Sequence, residues 1–226
     1  MFKKLERMKR FLPSAVSDPG GDLFSHAYAF CASVCRIQQI DASHDETHMM
    51  RVAKMTTRLN ELCGKPVSEE EKDVMILAAF THDLCDHKYT DVSGGLEVID
   101  QWLERQPISE EQRRAVCHII STMSYSKVAK YGYPIDLGRW ELAYHHTRIA
   151  DLIDAYDIER CYLYQSHKHP EMEETTKWRA VIDLFERRVL TQKDEYILPI
   201  APYALELVEG RHLIAAECIQ KFKKLV

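Results

Sequence analysis

The chain has 226 residues, of which 46% are hydrophobic and 29% charged, and a net charge of -5. That allows one substantial core in one or two domains and excludes a disordered or low-complexity chain. The mild acidity gives no electrostatic footprint for nucleic acid or an anionic membrane surface, and no apolar run approaches the ~20 residues that span a bilayer.

Residues Met1 to Arg10 carry Lys3, Lys4, Arg7, Lys9 and Arg10, but no long apolar segment follows them, so no signal peptide is expected. A breaker, Asp18-Pro19-Gly20-Gly21, precedes a first helix over 22–38. Asp41 or Ser43 is placed to cap the next helix, whose inner stripe runs His44, His48, Val52, Met55, Leu59 and Leu62 before Gly64 and Pro66 stop it. Ser68 with Glu71 forms a capping box for a third helix, which contains the apolar run Val74 to Phe80 and ends in His82-Asp83. Further helices are expected near 92–105, from Ser109 with Gln112 to about Met123, over 138–158, near 172–190 and near 203–224. Tyr131 to Pro134 reads as a loop and 190–202 as irregular. Strand signals are scarce and no repeat occurs, so the expected fold is all-α: a single-domain helical bundle over 1–226.

The seven cysteines, at 31, 35, 63, 85, 117, 161 and 218, are odd in number and form no C-x-x-C. Neither a disulfide framework nor a zinc ribbon is suggested, and a reducing cytoplasmic setting fits. Cys31 and Cys35 share a helix face, where apolar packing is the expected role.

His82-Asp83 closes a run that reads as buried helix, and polar groups there must be hydrogen-bonded, paired or bound to a cation. His48 lies upstream on an apolar stripe and Asp151 downstream on another predicted helix. Two imidazoles and two carboxylates are a donor set suited to a divalent transition metal. Successive helix residues point about 100° apart, so His82 and Asp83 can share one ion only beside the end of their helix. His44, four residues before His48, faces the same way.

The order H…HD…D, with H-x-x-R-V from His48 to Val52 and A-D-x-x-D from Ala150 to Asp154, resembles the HD-domain superfamily of metal-dependent phosphohydrolases. The likeness covers about residues 40–160, an HD core flanked by N- and C-terminal helices. Ser43-His44-Asp45, the stretch His82 to Tyr89 and Ile119 to Ser126 are similar to a branch found in bacteria, fungi and some large viruses, expected to hydrolyse phosphate esters. The resemblance implies a divalent ion (Mn, Fe, Co, Ni, Zn or Mg) on His48, His82, Asp83 and Asp151. It further implies attack by metal-bound water on a small phosphorylated substrate such as a nucleotide. Many members of this branch carry a histidine where this chain has Met123, a poor ligand for hard ions, so one ion is expected rather than two.

Around that core, Asp83 and Asp86 are the expected catalytic carboxylates, although Asp86 also reads as an exposed helix-end acid. Lys88 reads either as a phosphate contact or as a solvated lysine. Arg51 and Arg148 lie three positions from His48 and Asp151, placed to bind phosphate or to brace the ligand carboxylates. His44 joins them as a substrate-side candidate, and Asp154 reads as a ligand-orienting group or a structural salt bridge. His118, His145 and His146 have no assigned role, His167 and His169 read as loop histidines, and Arg211-His212 resembles a tail feature that closes over the pocket. Two other readings share the scaffold: a non-catalytic metal- or ligand-sensing domain, and a di-iron oxygenase, which needs the histidine that Met123 replaces.

Overall fold

The computed structural model describes residues 22–86, 89 and 91–225, and among them it has ten α-helices and no strand. They are α1 (Leu23–Gln38), α2 (Glu46–Cys63), α3 (Glu69–Thr81), α4 (Val92–Leu103), α5 (Glu110–Thr122), α6 (Tyr125–Tyr131), α7 (Glu141–Asp154), α8 (Ile158–Lys168), α9 (Glu174–Leu184) and α10 (Leu205–Phe222).

Helix α3 is the axis. Val74, Met75, Leu77, Ala78, Ala79, Phe80 and Thr81 are all buried, so its second half is apolar on every side. A helix with no solvent face must sit inside others, and α3 packs against α1, α2, α5 and α7. Its start is fixed by the Ser68–Glu71 capping box, in which Glu71 N–H donates to Ser68 Oγ and Ser68 N–H donates to the Glu71 carboxylate. The Ser109–Gln112 box does the same for α5. Phe30 of α1 stacks on Trp102 of α4 with ring centroids 4.2 Å apart. Tyr162, Trp178 and Phe222 stack in series, each pair 4.3 Å apart, and tie α8 to α9 and α10.

Four sequence expectations shift. The cap of α2 is Asp45, whose carboxylate accepts from the N–H groups of Thr47 and His48, so His44 lies in the loop before the helix rather than on its stripe. The expected 138–158 helix ends at Asp154, and Asp157 caps a separate helix, α8. Its last residue is Lys168, which puts His167 on a helix and leaves His169 as its cap. The expected 172–190 helix changes after Leu184 to a π-helical turn over Phe185–Val189, with a second such turn at Lys193–Ile197. The stretch between about Met123 and the expected Tyr131–Pro134 loop, to which the sequence assigns no element, holds α6 over Tyr125–Tyr131, and Gly132 then takes a φ of 77°.

All seven cysteines are free thiols, and Cys31 and Cys35 are buried in the core. Cys31 Sγ approaches Met49 Sδ to 3.0 Å, a packing contact between soft side chains. No helix among the described residues is long and apolar enough to cross a membrane.

Candidate metal centre

Three elements bring the candidate ligands together. His48 stands in the first turn of α2 and is fully buried. His82 and Asp83 follow the last residue of α3, where the chain leaves the helix. Asp151 is on the last turn of α7. His48 Nε2 lies 3.3 Å from His82 Nε2, 3.4 Å from Asp83 Oδ2 and 3.5 Å from Asp151 Oδ1. His82 Nε2 lies 3.4 Å from Asp83 Oδ2 and 3.8 Å from Asp151 Oδ1.

The other nitrogen of each imidazole is committed. His82 Nδ1–H donates to the carbonyl of Ala79 at 2.9 Å, which uses a carbonyl left over at the end of α3. His48 Nδ1 lies 2.7 Å from Asp154 Oδ2, a carboxylate oxygen that can only accept its proton, and Arg160 Nη1 crowds the same nitrogen at 2.5 Å. Each donation fixes the tautomer that leaves an Nε2 lone pair for a ligand. Two lone pairs and two carboxylate oxygens then face one another, with Arg160 Nη1 as a donor 3.3 Å from His48 Nε2, and the set repels itself unless positive charge sits at its centre. The electrostatics agree. Burial pushes the His82 imidazole down, but the Asp83 and Asp151 carboxylates outweigh it and hold it well above its ordinary value. Burial pushes Asp83 and Asp151 up, yet the imidazoles of His48 and His82 hold both well below the usual carboxylate range. The donor set therefore fits a divalent cation. The ligand atoms of His48, His82 and Asp83 all lie within 4.8 Å of one another, the one such group among the described residues, with Asp151 at its edge.

Asp154 supports this arrangement from behind. Its carboxylate accepts from His48 Nδ1, from Arg51 Nε at 2.9 Å and Nη2 at 3.1 Å, and from Arg160 Nη1 at 2.9 Å. Burial raises Asp154, but its donors overcome that and keep it ionised far below the usual range.

The open side is a cleft of about 350 Å³ lined by His82, Asp83 and Asp151 on the ligand side and by His44, Asp86, Met123, Tyr125, Lys127, Arg160 and Arg188 among its other walls. His44 Nδ1 shares hydrogen bonds with Ser43 Oγ at 2.5 Å and the Tyr89 hydroxyl at 3.1 Å. Met123 is buried on the cleft wall and brings a thioether there.

Some expected site residues lie elsewhere. Arg148 is not at the cleft: it is 1% exposed and lies between the rings of Tyr133 and Tyr196, each 5.2 Å away. Arg148 lies one turn before Asp151 on α7, and its side chain packs among these tyrosines instead of entering the cleft. Arg51 braces Asp154 and lies outside the cleft lining. His212 contacts the Tyr156 hydroxyl at 3.4 Å and does not close over the cleft. His118 is exposed on α5, and His145 packs against Tyr133 and Tyr144. Lys88 lies outside the described residues. The structure also places three cations at the cleft that sequence reasoning passed over: Lys127, Arg160 and Arg188. The readable signal was Arg188, a charge on the inward stripe Val181, Phe185, Arg188.

A family model described as "HD domain" matches residues 46–174, more than half of the chain. The chain belongs to the HD-domain family, a superfamily of metal-dependent hydrolases. A search of curated proteins found no match. Among solved structures, a Lactobacillus plantarum protein determined by a structural genomics programme aligns with a TM-score of 0.67. It is 19% identical and the alignment covers 89% of this chain and 95% of that one, so the likeness is one of fold.

Proposed function

We propose that the protein is a metal-dependent phosphohydrolase acting on a small phosphorylated molecule such as a nucleotide, with a single divalent ion held by His48, His82, Asp83 and Asp151. The observation that carries this reading is the convergence of two tautomer-fixed Nε2 atoms and two carboxylates at the floor of an open cleft. Four protein donors leave positions for water and substrate in a five- or six-coordinate ion. When bound, such an ion supplies Lewis-acid polarisation of a phosphoryl oxygen and acidifies water.

The chain's own residues do the rest. Asp83 is the ligand nearest both imidazoles, and Asp86, three residues on and facing the same cleft, accepts the proton released by the attacking water. His44 contacts substrate from the rim. Lys127, Arg160 and Arg188 make the cleft attractive to an anionic substrate. An exposed cleft beside the ligands favours catalysis over a metal that only pins helices.

The test is metal analysis of protein purified without chelator, followed by a phosphate-release screen over nucleotides and sugar phosphates. The wild type should carry metal and release phosphate, and Asp83→Ala should lose most of both together. Full metal content in Asp83→Ala would show the ligand assignment to be wrong, and metal without any phosphate release would remove the hydrolase reading.

A further inference from the structure

Four arginines lie near the site. Arg51 and Arg160 are bonded to Asp154, and Arg148, whose Nε and Nη2 also lack a hydrogen-bond partner among the described residues, is enclosed by tyrosines away from the cleft, where no ligand can reach it. Lys127 donates to the carbonyl of Ser121. Arg188 differs. It lines the cleft, its guanidinium lies 3.9 Å from the centre of the Tyr125 ring, and its buried Nε has no hydrogen-bond partner among the described residues. No carboxylate among the described residues lies within ion-pair distance of it. Burial weakens the charged form of Arg188 and outweighs the support it has from Asp151, Tyr125 and Cys161. A partly buried cation with an unused donor is costly unless something negative meets it.

The segment that carries it is unusual in the same way. Arg188 belongs to the π-helical turn Phe185–Val189, which follows α9 and lies outside the matched HD region. π-turns inside helices recur where a side chain is re-aimed for function. The neighbouring Arg187 points outward and pairs with Asp183 on the surface. The Arg188 guanidinium lies over the Tyr125 ring, which packs edge-on against Tyr196, 5.4 Å away, itself a neighbour of Arg148. A guanidinium seated on an aromatic ring can still present a two-pronged donor edge, the geometry that suits a phosphate.

We propose that Arg188 is the substrate-anion anchor of the cleft, with Lys127 as its companion charge, so that the tail segment after α9 completes the site for a phosphate group. The inference rests on the phosphate-ester reading above, but it concerns binding and is tested by binding. The probe is inorganic phosphate, titrated calorimetrically into the metal-containing protein. Arg188→Gln should weaken phosphate binding about tenfold or more, and Arg188→Lys should recover only part of it, since an ammonium lacks the fork. Arg187→Gln removes the same charge one residue away and should bind as the wild type does. Metal content should be equal in all four proteins. If Arg188→Gln fails to fold, the Arg188→Lys protein decides, because wild-type affinity there overturns the forked contact. Wild-type phosphate affinity in a folded Arg188→Gln, or no binding by the wild type at millimolar phosphate, likewise overturns the proposal. Phosphate binding lost with Arg188, in a protein that hydrolyses no ester, would end the hydrolase reading and leave the anchor standing.

Discussion

Asp154 accepts hydrogen bonds from His48 and Arg51 of α2 and Arg160 of α8, and it is nearly inaccessible to solvent. It touches no proposed substrate, yet it decides which nitrogen of His48 carries the proton. Asp154→Asn keeps the volume but removes the charge, so Arg51 and Arg160 lose their counter-ion and the His48 tautomer is no longer fixed. Metal affinity is expected to fall about 10–100-fold, the usual effect of losing a group that orients a ligand. Stability is expected to fall by about 3 kcal/mol, the lower end for a broken buried pair because Arg51 is partly solvated. Metal titration and urea unfolding of the variant measure the two effects, and an unchanged metal affinity would mean that His48 needs no such orientation. The role of Asp154 was open in the sequence because a carboxylate one turn past Asp151 satisfies both a salt bridge and a ligand brace. Its partner Arg160 could not be found from spacing without knowing that the chain turns before it.

At the scale of elements, helix starts marked by capping boxes and the stop of α2 at Gly64 were legible, and a break with no such marker was not. The capping boxes of α3 and α5 are four-residue signals, complete within the sequence. The break between α7 and α8 has neither Gly nor Pro. Asp151, Asp154 and Asp157 are spaced by three and read as one continuous helical face, although Asp157 is a cap for α8. Helix α7 also carries a pH-sensitive group. His146 is fully buried, with Nε2 2.7 Å from the Tyr203 hydroxyl and Nδ1 unpartnered among the described residues. Burial, then the charges of His145 and Lys65, push it down to about 4. Above its ordinary value near 6.5 neither the folded nor the unfolded chain protonates it, and the group costs nothing. Below that value the unfolded chain takes the proton first, so stability falls as the pH drops, until the folded form also protonates near 4. About 2 kcal/mol should be lost by pH 5 through this residue. Urea unfolding at pH 7 and pH 5 should show a smaller loss in His146→Gln than in the wild type, and equal losses would remove His146 as the cause. Leu77→Ala in α3, by contrast, should cost about 2–5 kcal/mol at either pH, because a cavity in the axis of the bundle is not titratable.

For the molecule as a whole, the proposed ligands come from residues 48, 82, 83 and 151, so one ion would join α2, the end of α3 and α7 across most of the matched HD region. The all-α class and the H…HD…D order were legible because period and ligand type are local properties. The anion side of the cleft was not, since Lys127, Arg160 and Arg188 meet only through packing of α6, α8 and the segment after α9. An ion that binds the folded chain and not the unfolded one stabilises by mass action, by about 2.7 kcal/mol at a hundred times its Kd. For a chain of this length each kcal/mol moves the Tm by roughly 2–4 °C, so metal-loaded protein should melt about 5–10 °C above chelator-treated protein. Asp83→Ala should melt at one temperature whether metal is present or not, because its remaining donors cannot hold the ion tightly. Native mass spectrometry on the loaded wild type should count one ion, since the cleft wall offers Met123 where a further histidine would be needed. A shift of the same size in Asp83→Ala would place the stabilising ion elsewhere on the chain. Two protein-bound ions per chain would mean that other side chains of the cleft, Asp86 and His44 first among them, are ligands rather than substrate contacts.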